Sequence, residues 1–130
     1  MNTPGKLPKP TESELEILSI LWEDGPSTVR FVNGRLNEKK LVGYTTTLKF
    51  LQIMTDKGLV SRMADGRTHV YSSVIRKESV QSDLLDKLLA TAFDGSAKRL
   101  VMQTLGNYKA SREELEEIKK LINELEGGKK

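Results

Sequence analysis

Residues 43–60, GYTTTLKFLQIMTDKGLV, and residues 61–71, SRMADGRTHVY, decide the fold that this sequence predicts. The first stretch predicts one amphipathic helix that ends at Gly58, and the second predicts two short strands joined at Asp65-Gly66. One face of the helix is expected to pack on a core because its residues recur at helical spacing: Thr47, Phe50, Leu51 and Met54. The other face is expected to point outward and carries Thr45, Thr46, Leu48, Lys49 and Gln52.

This outward face has the chemistry of a DNA-reading helix, because hydroxyl, amide and ammonium groups can reach base edges and phosphates in the B-DNA major groove. Thr45 and Thr46 suit phosphate oxygens or base edges, and Lys49 suits guanine or a phosphate. Gln52 suits adenine or a phosphate equally. Leu48 is either a contact for a thymine methyl group or ordinary exposed apolar surface. The strand pair behind the helix is expected to lie beside the duplex as a wing that carries Arg62, Arg67 and His69.

Two shorter helices are predicted before this one. Thr11 and Glu14 form a capping-box signature that starts a helix, and Gly25-Pro26 ends it. Ser27 is expected to cap a second helix that runs to about Asn37. The expected core residues of the two helices are Leu15, Leu18, Leu21 and Trp22 in the first and Val29, Val32 and Leu36 in the second.

The connection from Glu38 to Gly43 carries Lys39 and Lys40 and leads into the central helix. Two helices, a short turn, a third helix and a strand pair predict a winged helix-turn-helix. Small three-helix units that bind proteins share this pattern, so a protein-binding module without sequence-specific DNA binding is the alternative, with Leu48 and Ile53 as its apolar patch. Of the two, the basic and polar surface favours DNA binding.

From Arg76 onward the sequence predicts three further helices with apolar stripes. The first ends at Asp94-Gly95, the second begins at Ser96, and the third begins at the capping-box pair Ser111 and Glu114 and ends at Gly127-Gly128. These stripes either fold back on the wing of the same chain or pair with a second chain, and pairing is favoured because two reading helices on a two-fold axis recognise a palindrome. The predicted dimer contacts are Leu84, Leu85, Leu88, Leu89, Phe93, Leu100, Val101, Leu115, Ile118, Leu121, Ile122 and Leu125.

The predicted fold is therefore mainly α with a small β wing. We expect four segments: a mobile N-terminus over 1–10, a winged-helix DNA-binding domain over 11–75, a three-helix dimerisation domain over 76–126, and a tail over 127–130.

Charge is distributed unevenly along the chain, although the net charge is only +3 at pH 7. The segment from Arg30 to Ser73 holds eight Lys or Arg residues against three acids, and the first helix is acidic. A basic middle between acidic flanks is typical of a surface that meets phosphate. The expected phosphate contacts are Lys39, Lys40, Arg62 and Arg67.

Composition also argues against several classes of protein. Cysteine is absent, which excludes disulfides and thiolate metal sites and favours a reducing cytoplasm. The single histidine, His69, has no nucleophile or carboxylate at motif spacing, so neither catalysis nor a metal or cofactor site is expected. No apolar run approaches the ~20 residues of a membrane span, and the N-terminus has no signal-peptide pattern. We expect a cytoplasmic protein that is not an enzyme.

Several stretches together resemble the penicillinase-repressor (BlaI/MecI) family of bacterial transcriptional regulators, and the likeness runs from Thr11 to about Leu125. They are TESELEILSILWEDGPSTVRFV, YTTTLKFLQIMTDKGLVSR, DGRTHVY, FDGSAKRLV and SREELEEIKKLI. The resemblance implies a winged-helix domain, a helical dimerisation domain, and repression by a homodimer on a palindromic operator. It also implies an operator-facing role for Tyr44, Thr45 and Thr46.

The chain departs from the family pattern at the reading face and at the regulatory site. Lys49 replaces a common threonine, Leu48 a usually polar residue, and Ile53 a frequent arginine, so the operator sequence does not carry over. Antibiotic-responsive members have a membrane sensor protease as partner and are cleaved at an Asn-Phe bond, where this chain has Gln103-Thr104. Copper-responsive members use a C-terminal cysteine cluster, which this chain lacks. A membrane sensor protease stays open as a partner that the resemblance implies, with Gln103-Thr104 as a departure from the cleaved pair, and the sequence does not identify the inducer.

Overall fold

A computed structural model describes residues 9–107 and 109–128 of the chain. Residues 1–8 of the predicted mobile N-terminus (1–10) and residues 129–130 of the predicted tail (127–130) lie outside these residues. The chain forms two compact units that divide after Asp83. The division falls inside a helix, whereas the sequence analysis placed the domain boundary at Arg76.

The first unit contains helices α1 (Glu12–Asp24), α2 (Val29–Leu36) and α3 (Tyr44–Lys57) together with strands β1 (Ser27–Thr28), β2 (Val60–Asp65) and β3 (Thr68–Ser73). The strands form one antiparallel sheet in the order β1-β3-β2. This arrangement confirms the predicted winged helix-turn-helix and adds one short strand to it. Helix α4 (Lys77–Ala92) begins in this unit and continues into the second.

The limits of α1 and α3 follow from local signals that the sequence displays. Thr11 accepts a hydrogen bond from the Glu14 N–H while the Glu14 carboxylate accepts one from the Thr11 N–H, which completes the predicted capping box of α1. Helix α3 ends at Gly58, which has a φ of 82°. Because side chains rarely adopt this left-handed conformation, glycine is favoured there.

The start of α2 differs from the prediction by one residue. Thr28, and not Ser27, caps the helix, because the Thr28 hydroxyl accepts the N–H of Phe31 at 3.1 Å. Ser27 is buried in β1, pairs with Tyr71, and donates its hydroxyl to the Gly25 carbonyl at 2.8 Å.

The wing turn is also shifted by one residue from the prediction. Asp65 pairs with Thr68, so the two connecting residues are Gly66 and Arg67. Gly66 has a φ of 65°, and glycine at the first central position fits the type II′ turn of a two-residue hairpin.

A single apolar core fills the first unit. Leu18 and Leu21 of α1 are buried as predicted, and Ile17 and Ile20 join them. Leu15 and Trp22 are only partly buried at its edge. The remaining core side chains come from α2, α3, β2, β3 and the start of α4, and from the segments that flank the wing: Val29, Val32, Leu51, Met54, Leu59, Val60, Tyr71, Ile75 and Val80.

Trp22 connects α1 to the end of the wing. Its indole N–H donates to the Ser73 hydroxyl at 2.9 Å and to the Ile75 carbonyl at 3.1 Å. Trp22 therefore has the structural role expected of a core anchor, with its polar group satisfied by the chain itself.

The second unit consists of the rest of α4, helix α5 (Ala97–Asn107) and helix α6 (Arg112–Gly128). Ser96 accepts the Arg99 N–H at the start of α5, and Ser111 with Glu114 forms the second predicted capping box. Helix α6 runs through Gly128, the second residue of the predicted Gly127-Gly128 end.

Candidate nucleic-acid interface

A hydrogen-bond network fixes the connection between α2 and α3. The Asn33 side-chain amide donates to the Val42 carbonyl at 2.9 Å and to the Thr47 hydroxyl at 2.8 Å. The Val42 N–H in turn donates to the Asn37 side-chain oxygen at 2.7 Å. Because Thr47 is fully buried in α3, these bonds hold the first turn of α3 against α2. Sequence reasoning placed Thr47 inward but missed Asn33, which donates to it, and Asn37, which accepts the Val42 N–H.

The outer face of α3 is polar and open. Five residues of the predicted reading face are exposed, and they occupy successive turns of one side of the helix: Tyr44, Thr45, Thr46, Lys49 and Gln52. Ile53 and Asp56 continue the same face and are exposed as well.

Leu48 lies at the edge of this face, and its predicted outward orientation is only partly confirmed. Its side chain is partly buried and packs against the core. The reason is its position beside Thr47 and one turn before Leu51, both fully buried, which places it at the edge of the buried stripe. The alternative apolar patch of Leu48 and Ile53 is therefore smaller than predicted, because only Ile53 is fully on the exposed side.

The N-terminus of α3 lacks a side-chain cap among the described residues, since Gly43 occupies the N-cap position. The N–H groups of the first turn thus have no side-chain acceptor there, and the helix dipole adds partial positive charge at this end. Lys39 and Lys40 are exposed in the turn that leads to Gly43. A duplex phosphate would find N–H donors and cations close together at this point.

The wing presents its predicted polar residues to solvent. Arg62 pairs with Tyr71 and Ala64 pairs with His69 across the strands, so Arg62 and His69 lie on the same face of the ribbon as the buried Tyr71. Arg67 lies in the turn itself. All three polar residues are exposed.

The cations of the segment from Arg30 to Ser73 differ in whether they form ion pairs, although the sequence analysis treated them as equivalent. Arg35 forms ion pairs with Glu23 at 2.8 Å, with Glu38 at 3.5 Å and with Asp24. The hydrogen bond with Arg35 lowers the pKa of Glu23 and raises the pKa of Arg35 itself. In contrast, Arg30 and the predicted contacts Lys39, Lys40, Lys49, Arg62 and Arg67 form no ion pair with any described residue.

Lys57 is also committed to the fold. Its ammonium group lies 2.7 Å from the buried Glu14 carboxylate and joins the end of α3 to the start of α1. Burial by itself raises the pKa of Glu14, but the hydrogen bonds from Lys57 and from the Thr11 N–H outweigh it, so the Glu14 pKa is lowered. None of the predicted reading residues of α3 forms an ion pair with a described residue.

Other kinds of site find little support in the described residues. They contain no group of three or more His, Cys, Asp or Glu side chains placed to hold a metal ion. His69 is exposed on the wing. None of the described helices has the length and apolarity needed to cross a membrane.

The predicted dimer contacts lie on α4, α5 and α6. No residue of α5 or α6 is buried, and several of the predicted contacts are strongly exposed, with Leu121 at 54%, Ile122 at 48% and Leu125 at 58%. Leu89, Phe93, Leu100 and Ile118 are partly buried. Gln103 and Thr104 are exposed within α5, and the Thr104 hydroxyl donates to the Leu100 carbonyl at 2.7 Å.

Comparison with protein families gives a match to the family described as penicillinase repressor over residues 10–124. A transcriptional regulator BlaI of Mycobacterium tuberculosis is 27% identical over 124 residues, which cover 95% of this chain and 89% of the relative. A penicillinase repressor of Bacillus licheniformis is 23% identical over 125 residues, which cover 96% and 98% of the two chains.

Two solved structures resemble the first unit. The DNA-binding domain of the repressor BlaI matches with a TM-score of 0.50 and 24% identity over 55% of this chain and 88% of that one. The monomeric form of Bacillus licheniformis BlaI in complex with the blaP half-operator matches with a TM-score of 0.50 and 23% identity over 56% and 89%. At these identities the likeness concerns the fold, and it agrees with the predicted winged helix.

Proposed function

The chain belongs to the penicillinase repressor family, whose members are DNA-binding transcriptional repressors rather than enzymes, and on that premise we propose that it binds a palindromic operator as a homodimer. Each copy would place α3 in the major groove and its wing beside the duplex. Repression would follow because the bound dimer blocks access to the promoter. DNA is an intracellular target, so we place the protein in the cytoplasm.

The observation that carries this proposal is the exposed polar face of α3 beside unpaired cations. Thr45, Thr46, Lys49 and Gln52 are exposed on one side of a helix whose other side is anchored in the core. An α-helix fits the major groove, and side chains of these types can discriminate base edges there. Tyr44 opens the helix and is half exposed, which suits contact with the backbone beside the groove.

Affinity would come largely from phosphate contacts around this face. Lys39 and Lys40 precede the uncapped N-terminus of α3, and Arg62 and Arg67 extend along the wing. None of these four cations forms an ion pair with a described acid, and of the four only Lys39 contributes through its charge to the lowered pKa of Glu23, so all four remain available to phosphate. Arg35 and Lys57 are left out of the interface, since both already hold carboxylates.

Pairing of two chains would use the apolar stripes of α4, α5 and α6. A half-site read by one helix covers only a few base pairs, while two linked half-sites combine their affinities. The stripes offer the contact surface for this pairing, because leucine and isoleucine side chains on α6 are exposed in the single chain.

Selection of bound fragments from genomic DNA by the purified full chain tests the proposal. The recovered fragments should share an inverted repeat, and binding should weaken steeply as salt rises from 50 to 200 mM. The variant Lys49→Ala should change the preferred sequence and lose ~1 to 3 kcal/mol on the wild-type motif if Lys49 contacts a base.

Each of three other results would contradict a different part of the proposal. A motif without two-fold symmetry would exclude the paired reader. If Lys49→Ala weakened all sequences equally, Lys49 would be a phosphate contact and not a base reader. Binding that does not respond to salt would exclude a phosphate-facing surface altogether.

A further inference from the structure

Ile53 is an apolar residue on the polar reading face of α3. It lies one turn after Lys49 and directly beside Gln52, and all three side chains are exposed. The exposed fraction of Ile53 is 40%. Its position contrasts with that of Leu48, the other apolar candidate on this helix, which is partly buried against the core and so presents less apolar surface to a ligand.

The neighbours of Ile53 suit a base pair better than a protein partner. Lys49 and Gln52 border it with an ammonium group and an amide, so the residue is a single apolar group between polar ones. In the major groove, an A·T pair presents the same mixture, because the thymine 5-methyl group lies beside the O4 acceptor and the adenine N6 and N7 atoms. An apolar side chain and an amide at adjacent helix positions can meet these groups together.

The shape of isoleucine strengthens this match. A β-branched side chain in a helix occupies one strongly preferred χ1 rotamer, so little conformational freedom is lost when it packs against a ligand. The exposed part of Ile53 would be removed from water by a methyl group, which stabilises the complex in proportion to the apolar area buried.

We propose that Ile53 determines operator specificity by packing against the 5-methyl group of one thymine in each half-site. This inference rests on the proposed function and adds a named contact to it. Thymine is thereby distinguished from cytosine, which lacks the methyl group, at the position that Ile53 covers.

Replacement of thymine by deoxyuridine tests the contact, because it removes only the methyl group. Each thymine of the selected operator is replaced symmetrically in both half-sites, and the dissociation constant is measured at fixed salt for the wild-type chain and for Ile53→Ala. For the wild type, one thymine position should lose about fourfold per half-site, the value expected for one buried methyl group. For Ile53→Ala, the thymine and uracil duplexes should bind equally at that position.

Two further variants control the experiment. Val74→Ala removes an exposed apolar side chain of the same unit that lies off the reading face, and it should keep the full sensitivity to uracil. Ile53→Val retains the β-branched shape and should show a reduced but measurable sensitivity. Thermal unfolding of all three variants checks that the fold is intact.

Equal losses for the wild type and Ile53→Ala at every thymine would overturn the inference while leaving a sequence-selective repressor in place. The same conclusion would follow if Val74→Ala also abolished the sensitivity, since the effect would then not belong to Ile53. A wild-type chain that selects no sequence would overturn the repressor proposal together with this contact.

Discussion

The winged-helix unit and the C-terminal helices carry similar apolar stripes, but the first unit buries its stripes whereas α5 and α6 leave theirs exposed or only partly covered. In the first unit, the stripes of α1, α2 and α3 meet each other and the sheet, so Leu18, Val32 and Leu51 are fully buried. In α5 and α6 no residue is buried, and Leu121 and Leu125 are more than half exposed. Helical periodicity therefore shows that a face is apolar without showing what covers it.

This difference gives the two regions different requirements. The first unit has a core assembled from its own elements and can be stable as a single copy. The C-terminal helices leave leucine and isoleucine side chains in water, which is unfavourable unless a second surface removes them from it. A second copy of the same chain is the partner that a repressor with a palindromic operator would use.

The largest expected effect comes from charging the exposed stripe of α6. Leu115→Asp with Ile122→Asp would place two carboxylates on this stripe, and burying them in a dimer would be unfavourable. We expect a monomer in analytical ultracentrifugation and a 10²- to 10⁴-fold loss of operator affinity, because the two half-sites would then be bound independently.

The control places aspartate at the same spacing on the polar side of α6 and adds one carboxylate rather than two, because position 116 already holds a glutamate. Glu116→Asp with Asn123→Asp should leave both the dimer and the operator affinity unchanged. If the Leu115 and Ile122 double variant remained dimeric, the α6 stripe would not be the contact between chains.

A smaller effect distinguishes the two regions by their response to protein concentration. Leu51→Ala should lower the free energy of unfolding by ~2 to 5 kcal/mol at every concentration, because it leaves a cavity in a core that one chain completes. Leu121→Ala should lower the free energy of unfolding only slightly while the chain is monomeric, and it should lower it more at concentrations where the dimer forms. Trp22, the single tryptophan, reports unfolding of the first unit by fluorescence, and circular dichroism follows all helices.

Two results would contradict this comparison. A large loss for Leu121→Ala in the dilute monomer would mean that the α6 stripe is covered within its own chain. A cost for Leu51→Ala that varies with concentration would mean that the first unit depends on its partner for stability.

The sequence predicted the parts of the fold that have strong local signals. Thr11 with Glu14 and Ser111 with Glu114 are capping boxes whose partners lie three residues apart, so no tertiary information was needed. Gly58 predicted the end of α3 by its residue type alone, again without tertiary information. Signals of this kind predicted the helices and the two wing strands.

The parts that the sequence missed depend on contacts between distant residues. Strand β1 is two residues long and exists because Ser27 and Thr28 pair with β3, so no alternation of its own could reveal it. The ion pairs of Arg35 with α1 likewise need the folded chain. The partial burial of Leu48 was missed because periodicity alone does not fix how far a residue at the edge of a helical stripe is covered, and packing decides it.

The candidate interface shows the same limit. Periodicity correctly separated the exposed Thr46 and Lys49 from the buried Thr47 and Leu51. It gave no means of telling free cations from paired ones, since Arg35 and Arg67 are alike in the sequence. That distinction decides which charges are available to phosphate, and it required the positions of the acids.

The smallest expected effect compares the two capping boxes, which have the same signature in different surroundings. Glu14 is buried and bound to Lys57, whereas Glu114 is exposed and has no ion pair with any described residue. Glutamine can serve in place of glutamate in a capping box, so Glu→Gln removes mainly the charge. Glu14→Gln should therefore lower the free energy of unfolding by about 1 to 2 kcal/mol at pH 7, and Glu114→Gln should leave it nearly unchanged.

The lowered pKa of Glu14 predicts how the stability difference between the wild type and Glu14→Gln changes with pH. Because the folded chain lowers the pKa of Glu14 below its ordinary value of 4.5, the carboxylate stabilises the fold above that pH and loses its contribution as pH falls through the folded pKa. The stability difference between the wild type and Glu14→Gln, followed by Trp22 fluorescence in denaturant, should thus be constant near neutrality and shrink in acid. A difference that stayed constant into strong acid would mean that the Glu14 charge contributes nothing and that glutamine perturbs packing instead.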